Sequence, residues 1–278
     1  MKGRIVKIIS SSYFVETKNG SVCCSARKTV KNELKLVVGD LVEVSDSENV
    51  IEKVYERKNS LIRPYVANVD ICAIVIALKP SPDFLLVDKI LVNCLEQCIE
   101  PVLVVNKCDL EKINMSDYSD FKIFYISALT GDGVDDFKNY LSAKTVCLAG
   151  QSAVGKSSLI NAMLGQKLLE TGDFSKKIER GKNTTRQTSL LKCDDFYIID
   201  TCGFSLLNAI DIPPENLRLY YDEFLKFSDG CRFTVCTHTD EPDCAIKERV
   251  GKDISKNRYD RYVTIFNELS ENRRKKYE

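Results

Sequence analysis

The sequence carries no excess charge of either sign, no low-complexity tract, no internal repeat and a single histidine. Lysine plus arginine and aspartate plus glutamate each number 40, so the formal net charge is zero. Global charge therefore argues neither for nor against a nucleic-acid partner, and only its local distribution bears on the question. No apolar run approaches the roughly 20 residues that a bilayer span requires. The opening MKGRIVKIIS has no apolar stretch of signal-peptide length. The expectation is a cytoplasmic protein with no membrane partner.

What is present fits a soluble globular chain of two or three domains: 278 residues, 44% hydrophobic and 29% charged. A chain of this length can bury a sizeable core and need not be stapled throughout. Cysteine is the residue in surplus, at 12. Cys23, Cys24, Cys72, Cys94, Cys98, Cys108, Cys147, Cys193 and Cys202 are scattered through strand-like and helix-like runs and read as small buried hydrophobes. The other three lie together near the lone histidine.

Residues 1–63 consist of short apolar or alternating runs (GRIVKII, YFVET, SVCCSA, DLVEV) separated by turn signals at Asn19-Gly20 and Gly39-Asp40. This pattern predicts a small β-barrel, either of the oligonucleotide-binding (OB) type or SH3-like. From residue 64 to about 208 the rhythm changes. Continuous apolar strands at 69–78, 101–107, 121–128, 145–150 and 196–201 alternate with helical patterns over 84–98, 133–141 and 156–164. Such alternation predicts a mostly parallel sheet covered on both faces, with ligands beyond the C-terminal strand ends. Residues 209–278 open with Pro213-Pro214 and form a loop-rich, cysteine-bearing segment ending in a charged helix.

The motifs fall at those strand ends. Gly150, Gln151, Ser152, Ala153, Val154, Gly155, Lys156 and Ser157 match the phosphate loop G-x4-G-K-S/T, after a strand and before a helix that continues through Ser158. The glycines let consecutive N–H groups face phosphate oxygens, and the helix N-terminus adds partial positive charge. Lys156 is the candidate for the β- and γ-phosphates, and the Ser157 hydroxyl for Mg²⁺. Asp200 and Gly203 form a D-x-x-G after an apolar strand, suited to the Mg²⁺ shell and the γ-phosphate. Asn106, Lys107 and Asp109 form N-K-x-D, whose carboxylate pairs with the guanine edge and rejects adenine. Ser127, Ala128 and Leu129 suit a backbone contact to the guanine oxygen. Each of the weaker motifs occurs alone as ordinary strand-end chemistry, but together they indicate GTP rather than ATP. Because Asn106 precedes Gly150, the domain reads as circularly permuted. Between the phosphate loop and Asp200, residues 180–186 read as a mobile loop in which Thr184 or Thr185 meets Mg²⁺ and γ-phosphate.

Cys231, Cys236, His238 and Cys244 supply three thiolates and one imidazole within 14 residues. Four soft ligands suit one closed, structural Zn²⁺.

These motifs in this order resemble the bacterial family of circularly permuted GTPases called ribosome small-subunit-dependent GTPase A. The likeness spans nearly the whole chain. It implies an OB barrel, a permuted GTPase domain and a C-terminal zinc domain, acting in late maturation of the small ribosomal subunit. It further implies binding of GTP or GDP and of the 16S-type rRNA, by a protein we expect to be monomeric, with hydrolysis stimulated by the subunit and followed by release. The sequence departs from the family where Asn183 replaces a histidine implicated in hydrolysis, and where Cys202 replaces a proline. Phe204, which the family shares, stands where many GTPases carry a water-orienting glutamine. Slow intrinsic turnover follows, with water positioned by backbone, Mg²⁺ or rRNA. Candidate RNA contacts are Lys2, Arg4, Lys7, Tyr13, Phe14, Arg27 and Lys28 in the barrel, and the cluster Arg273, Arg274, Lys275 and Lys276. The rival readings are a non-hydrolysing, GTP-gated RNA-binding module and a GTPase acting on a protein target.

Overall fold

The computed structural model describes residues 1–62, 65–110, 113–165, 188–200 and 210–277. The first five strands are β1 (Lys2–Ile9), β2 (Ser12–Thr17), β3 (Gly20–Ala26), β4 (Leu41–Val44) and β5 (Val50–Val54), with helix α1 (Lys28–Glu33) between β3 and β4. They are ordered β1-β2-β3-β5-β4, and β4 returns to pair with β1. All pairs are antiparallel except β3–β5. Closure leaves no free edge, and the order with an intervening helix is that of the OB barrel, which decides between the two barrel types expected. Inward alternation fills the barrel with Ile5, Val15, Cys24, Val42, Val44 and Ile51, capped by Val30 of α1.

A short hairpin, β6 (Ser60–Ile62) and β7 (Tyr65–Ala67), leads into the main sheet. Its strands are β8 (Ile71–Ile76), β9 (Glu100–Val105), β10 (Lys122–Tyr125), β11 (Thr145–Ala149), β12 (Ser189–Cys193) and β13 (Phe196–Asp200). The spatial order is β10-β9-β8-β11-β13-β12, parallel throughout except for the antiparallel β12–β13 hairpin. Every residue of β8 is buried, as a strand covered on both faces must be. Cys72, Ile74 and Ile76 face a core completed by helix α2 (Phe84–Glu96). Ile71, Ala73 and Val75 face a second core under helices α3 (Val134–Tyr140) and α4 (Lys156–Leu164). The barrel joins this sheet at its edge, where β1 pairs with β12 through Lys7 and Ser189.

The C-terminal module contains a 3-10 turn at Pro214–Tyr220 and helices α5 (Asp222–Leu225), α6 (Ala245–Arg249) and α7 (Lys256–Tyr277). Its core of Leu217, Tyr221, Phe224, Ile246, Tyr262 and Ile265 includes Val92 from α2, so the module rests on the outer side of that helix. Polar contact reinforces the seam. Asp88 of α2 is 1% exposed and meets Arg258 Nη1 at 3.3 Å and Arg261 Nε. Glu223 engages the other side of Arg258, while Arg261 also donates to the Tyr118 hydroxyl at 3.2 Å.

Candidate functional site

Strand β11 is buried along its length and delivers Gly150 to the C-terminal edge of the sheet, where the chain turns back into α4. Two glycines make this turn possible. Gly150 has φ +123°, and a Cβ there would lie 2.2 Å from the Val75 carbonyl oxygen. Gly155 has φ +97°, and a Cβ there would lie 2.3 Å from Asn106 Nδ2. Any side chain at either position meets both left-handed strain and an occupied space.

The neighbour against Gly155 organises the site. Asn106, buried at the end of β9, donates from Nδ2 to the Val154 carbonyl at 2.9 Å. Its Oδ1 accepts from the backbone N–H of Lys107 at 2.8 Å and of Ala128 at 3.0 Å. One amide thus joins the phosphate loop, the N-K-x-D turn and the Ser127–Ala128 turn. Lys107 adds a second tie, its ammonium donating to the carbonyls of Lys79 (2.7 Å) and Ala153 (2.9 Å). Ser127 is fully buried, and its hydroxyl accepts from Thr130 N–H at 3.2 Å, which fixes the turn carrying Ala128. Asp109 lies exposed beyond Lys107.

The Lys156 ammonium donates to the carbonyls of Gly150 (2.8 Å) and Gln151, folded over the loop it belongs to. Burial lowers its pKa, so an anion beside it would be answered by a poorly hydrated cation. Ser152 and Ala153 are exposed, Val154 is buried as the loop's apolar anchor, and Ser157 and Ser158 sit half-buried in the first turn of α4. The Gln151 side chain accepts from Asp83 N–H at 3.1 Å, linking the loop to the start of α2. Asp200 ends β13, two residues past the Val146–Ile198 pair with β11, so its backbone comes to the same sheet edge. Thr184, Thr185 and Gly203, with Asn183, Cys202 and Phe204, lie outside the described residues.

The second cluster is in the C-terminal module. The ligand atoms of Cys231, Cys236, His238 and Cys244 all lie within 4.8 Å of one another. His238 Nδ1 is 3.4 Å from Cys244 Sγ and 3.7 Å from Cys231 Sγ, and those two sulfurs are 3.9 Å apart. A tetrahedral ion with metal–sulfur bonds of about 2.3 Å needs sulfurs roughly 3.8 Å apart, so the set fits one metal ion. Burial, reinforced by the charge of Arg218, pulls the pKa of His238 down to about 4, which keeps the imidazole neutral as a ligand must be. Burial also pushes the Cys236 thiol up to about 12, so its thiolate form calls for a cation at the site. The backbone around the cluster is held by Tyr259 and Tyr262, whose hydroxyls donate to the carbonyls of His238 (2.8 Å) and Thr237 (2.5 Å). Glu241 accepts from the N–H groups of Thr237 and Thr239. Burial raises its pKa, but these bonds outweigh that and hold the carboxyl at about 2.

Sequence reasoning placed Asn106 in a base-reading motif but missed its role as the tie between three loops. It also missed Asp88, Arg258 and Arg261. The signal available was a carboxylate at helical spacing between Leu85 and Val92, on a second semi-apolar stripe of α2.

The family model described as RsgA GTPase matches residues 54–210. The small ribosomal subunit biogenesis GTPase RsgA of Caldanaerobacter subterraneus subsp. tengcongensis is 42% identical over 291 residues, covering 100% of this chain and 98% of the relative. The protein of the same name from Agathobacter rectalis is 37% identical, covering 99% and 100%. Among solved structures, YjeQ from Thermotoga maritima is similar with a TM-score of 0.81 at 37% identity, covering 96% of this chain and 98% of that one. YloQ, described as a circularly permuted GTPase, is similar with a TM-score of 0.78 at 28% identity, covering 98% and 95%.

Proposed function

The chain belongs to the RsgA GTPase family, and from that premise we propose that it binds GTP on the loop from Gly150 to Ser157 and acts on the small ribosomal subunit during its late maturation. As a member of this family it is a GTPase, converting GTP to GDP and phosphate. The observation that carries the site assignment is the Asn106 amide, bonded at once to Val154, Lys107 and Ala128. A phosphate-binding loop and two base-reading turns held by one side chain form a single site with a guanine end and a triphosphate end.

In this reading Asp109 accepts from the guanine edge and Ala128 N–H meets the guanine oxygen, while Lys107 lies along the base. The N–H groups from Gln151 to Ser157 and the Lys156 ammonium hold the phosphates; Lys156 exchanges its carbonyl partners for phosphate oxygens. Hard oxygen donors suit Mg²⁺, and the Ser157 hydroxyl, a hydroxyl of Thr184 or Thr185 and the Asp200 carboxylate would hold it. When bound, Mg²⁺ supplies positive charge at the β- and γ-phosphates. Gly203 N–H is the γ-phosphate sensor. With asparagine at 183 and phenylalanine at 204 where a water-orienting side chain would be looked for in the sequence, water alignment falls to backbone groups, Mg²⁺ or subunit RNA, so turnover is slow alone and faster on the subunit. The three cysteines and His238 would hold one structural Zn²⁺ and so fix the segment from Cys231 to Cys244 within the C-terminal module. We place the protein in the cytoplasm as a monomer; among the described residues no helix is long and apolar enough to cross a membrane.

Phosphate release measured with and without purified small subunits tests the reading, together with co-sedimentation in a non-hydrolysable GTP analogue. The expected result is stimulated release and analogue-dependent co-sedimentation. Failure to sediment with the subunit at moderate salt would sink the ribosomal assignment, and loss of turnover in both conditions would sink the catalytic one.

A further inference from the structure

A cleft of about 540 Å³ opens where the barrel faces the β12–β13 hairpin at the edge of the parallel sheet. Lys2, Arg4, Lys18 and Lys192 line it against the single carboxylate of Glu16, a local positive excess in a chain of zero formal net charge. Glu16 is already engaged by Lys192 at 2.6 Å. Two aromatic rings also line the cleft, Tyr55 from the barrel and Tyr197 from β13. Cations lie over both rings: Lys2 Nζ is 5.0 Å from the Tyr55 centroid, and the Arg4 guanidinium is 5.3 Å from that of Tyr197. Arg4 is anchored there by donating to the Thr145 hydroxyl, whereas Lys2 and Lys18 are exposed.

Rings and cations together on the walls of one cleft recognise an aromatic base and its phosphate at the same time. A purely apolar ligand would leave the ammonium groups unanswered, and a bare anion would make no use of the tyrosines. We propose that this cleft takes one unpaired nucleotide, its base stacked on Tyr55 or Tyr197 and its phosphate held by Lys2 and Lys18. An exposed cation–π contact is weaker than base stacking, so Lys2 yields its place over Tyr55 and turns to the phosphate. This position is separate from the phosphate loop and uses none of its motifs. Its walls come from two domains, so an occupant bridges the barrel to the hairpin that ends at Asp200. The inference rests on the cleft alone and stands whether or not the chain acts on the small subunit.

The chemistry could come from an RNA strand or from a free nucleotide, and the test separates them. The full chain, saturated with GDP to fill the phosphate loop, is titrated with fluorescein-labelled hexauridylate by anisotropy, and UMP is added as competitor. We expect hexauridylate to bind, and Tyr55→Leu or Tyr197→Leu to weaken it about tenfold each. Lys18→Glu should weaken it and flatten the log–log salt dependence by about one unit of slope. Lys31→Glu, on α1 outside the cleft, should change neither. A 4-thiouridine oligonucleotide should photo-crosslink to Tyr55 or Tyr197 of the unmodified chain, a readout that needs no variant to fold. Displacement by UMP identifies a free nucleotide as a sufficient ligand, and binding of hexauridylate with UMP inert identifies the strand; either supports the cleft. Binding of neither ligand, or crosslinks and affinities that ignore all three substitutions, would overturn it.

Discussion

The parallel sheet and the C-terminal module both hold polar ligand groups in fixed geometry, and they do so by different physics. In the sheet, β8, β9 and β11 are buried on both sides, and apolar packing sets the positions of the loops at their ends. The Asn106 amide then adjusts three loops that the strands have already brought together. The module has a smaller core, and its helices α5 and α6 span four and five residues. Helices of that length do not persist by themselves. On the proposed reading, order there comes from a metal held by the converging Cys231, Cys236, His238 and Cys244, together with a buried carboxylate shared by two guanidinium groups. The sheet is therefore expected to survive the loss of any one polar contact, and the module is not.

The largest expected effect tests that contrast directly. Stripping the metal with a chelator, or Cys244→Ser, should unfold residues 210–277, because metal binding in small zinc domains is worth on the order of 10 kcal/mol. Guanine-nucleotide binding by the sheet should persist. Proteolysis with zinc quantification reads the outcome, and a module that resists protease without metal would break the comparison. Next in size is Asp88→Ala, which leaves Arg258 and Arg261 buried beside no carboxylate of α2. A loss of about 3–5 kcal/mol is expected from urea unfolding, and Asp88→Asn should recover part of it by keeping hydrogen bonds. Asn106→Ala removes the tie without adding bulk. Fluorescent GDP titration should show affinity lower by about ten- to a hundredfold, corresponding to about 1–3 kcal/mol, with the unfolding midpoint nearly unchanged. An equal fall in affinity and stability would mean that the apolar strands do not position the loops by themselves. The smallest effect is Lys276→Ala, which breaks an exposed pair with Asp211 and should cost less than about 1 kcal/mol.

The features legible in the sequence were those encoded within a few residues. The run from Gly150 to Ser157, the turns at Asn106 and Ser127, and the Cys231–Cys244 cluster each declare their chemistry by spacing. Helix 156–164 is legible because the phosphate loop runs directly into it. The barrel type stayed open because it depends on pairings that join distant strands, β1 with β4 and β3 with β5, which no local pattern encodes. The C-terminal segment reads in the sequence only as a charged helix with a basic end. Arg258 lies 170 residues from Asp88, and only the docked module reveals that the two share one buried site. Tyr55 and Tyr197 gave no signal, since each is an ordinary strand-end or strand residue until the barrel meets the hairpin.

The permuted order also sets a timetable for synthesis. Chains emerge from the N-terminus, so β8, β9 and the base-reading turn are made before the phosphate loop. Asn106 lies 48 residues ahead of its partner Val154, an interval of about 2–10 s at elongation rates of about 5–20 residues per second. During that interval β8 has β9 on one side and no β11 on the other, while the completed barrel stands N-terminal to it. The nascent protein therefore carries a finished barrel well before it can respond to guanine nucleotide, and only the C-terminal module is made later than the phosphate loop and Asp200.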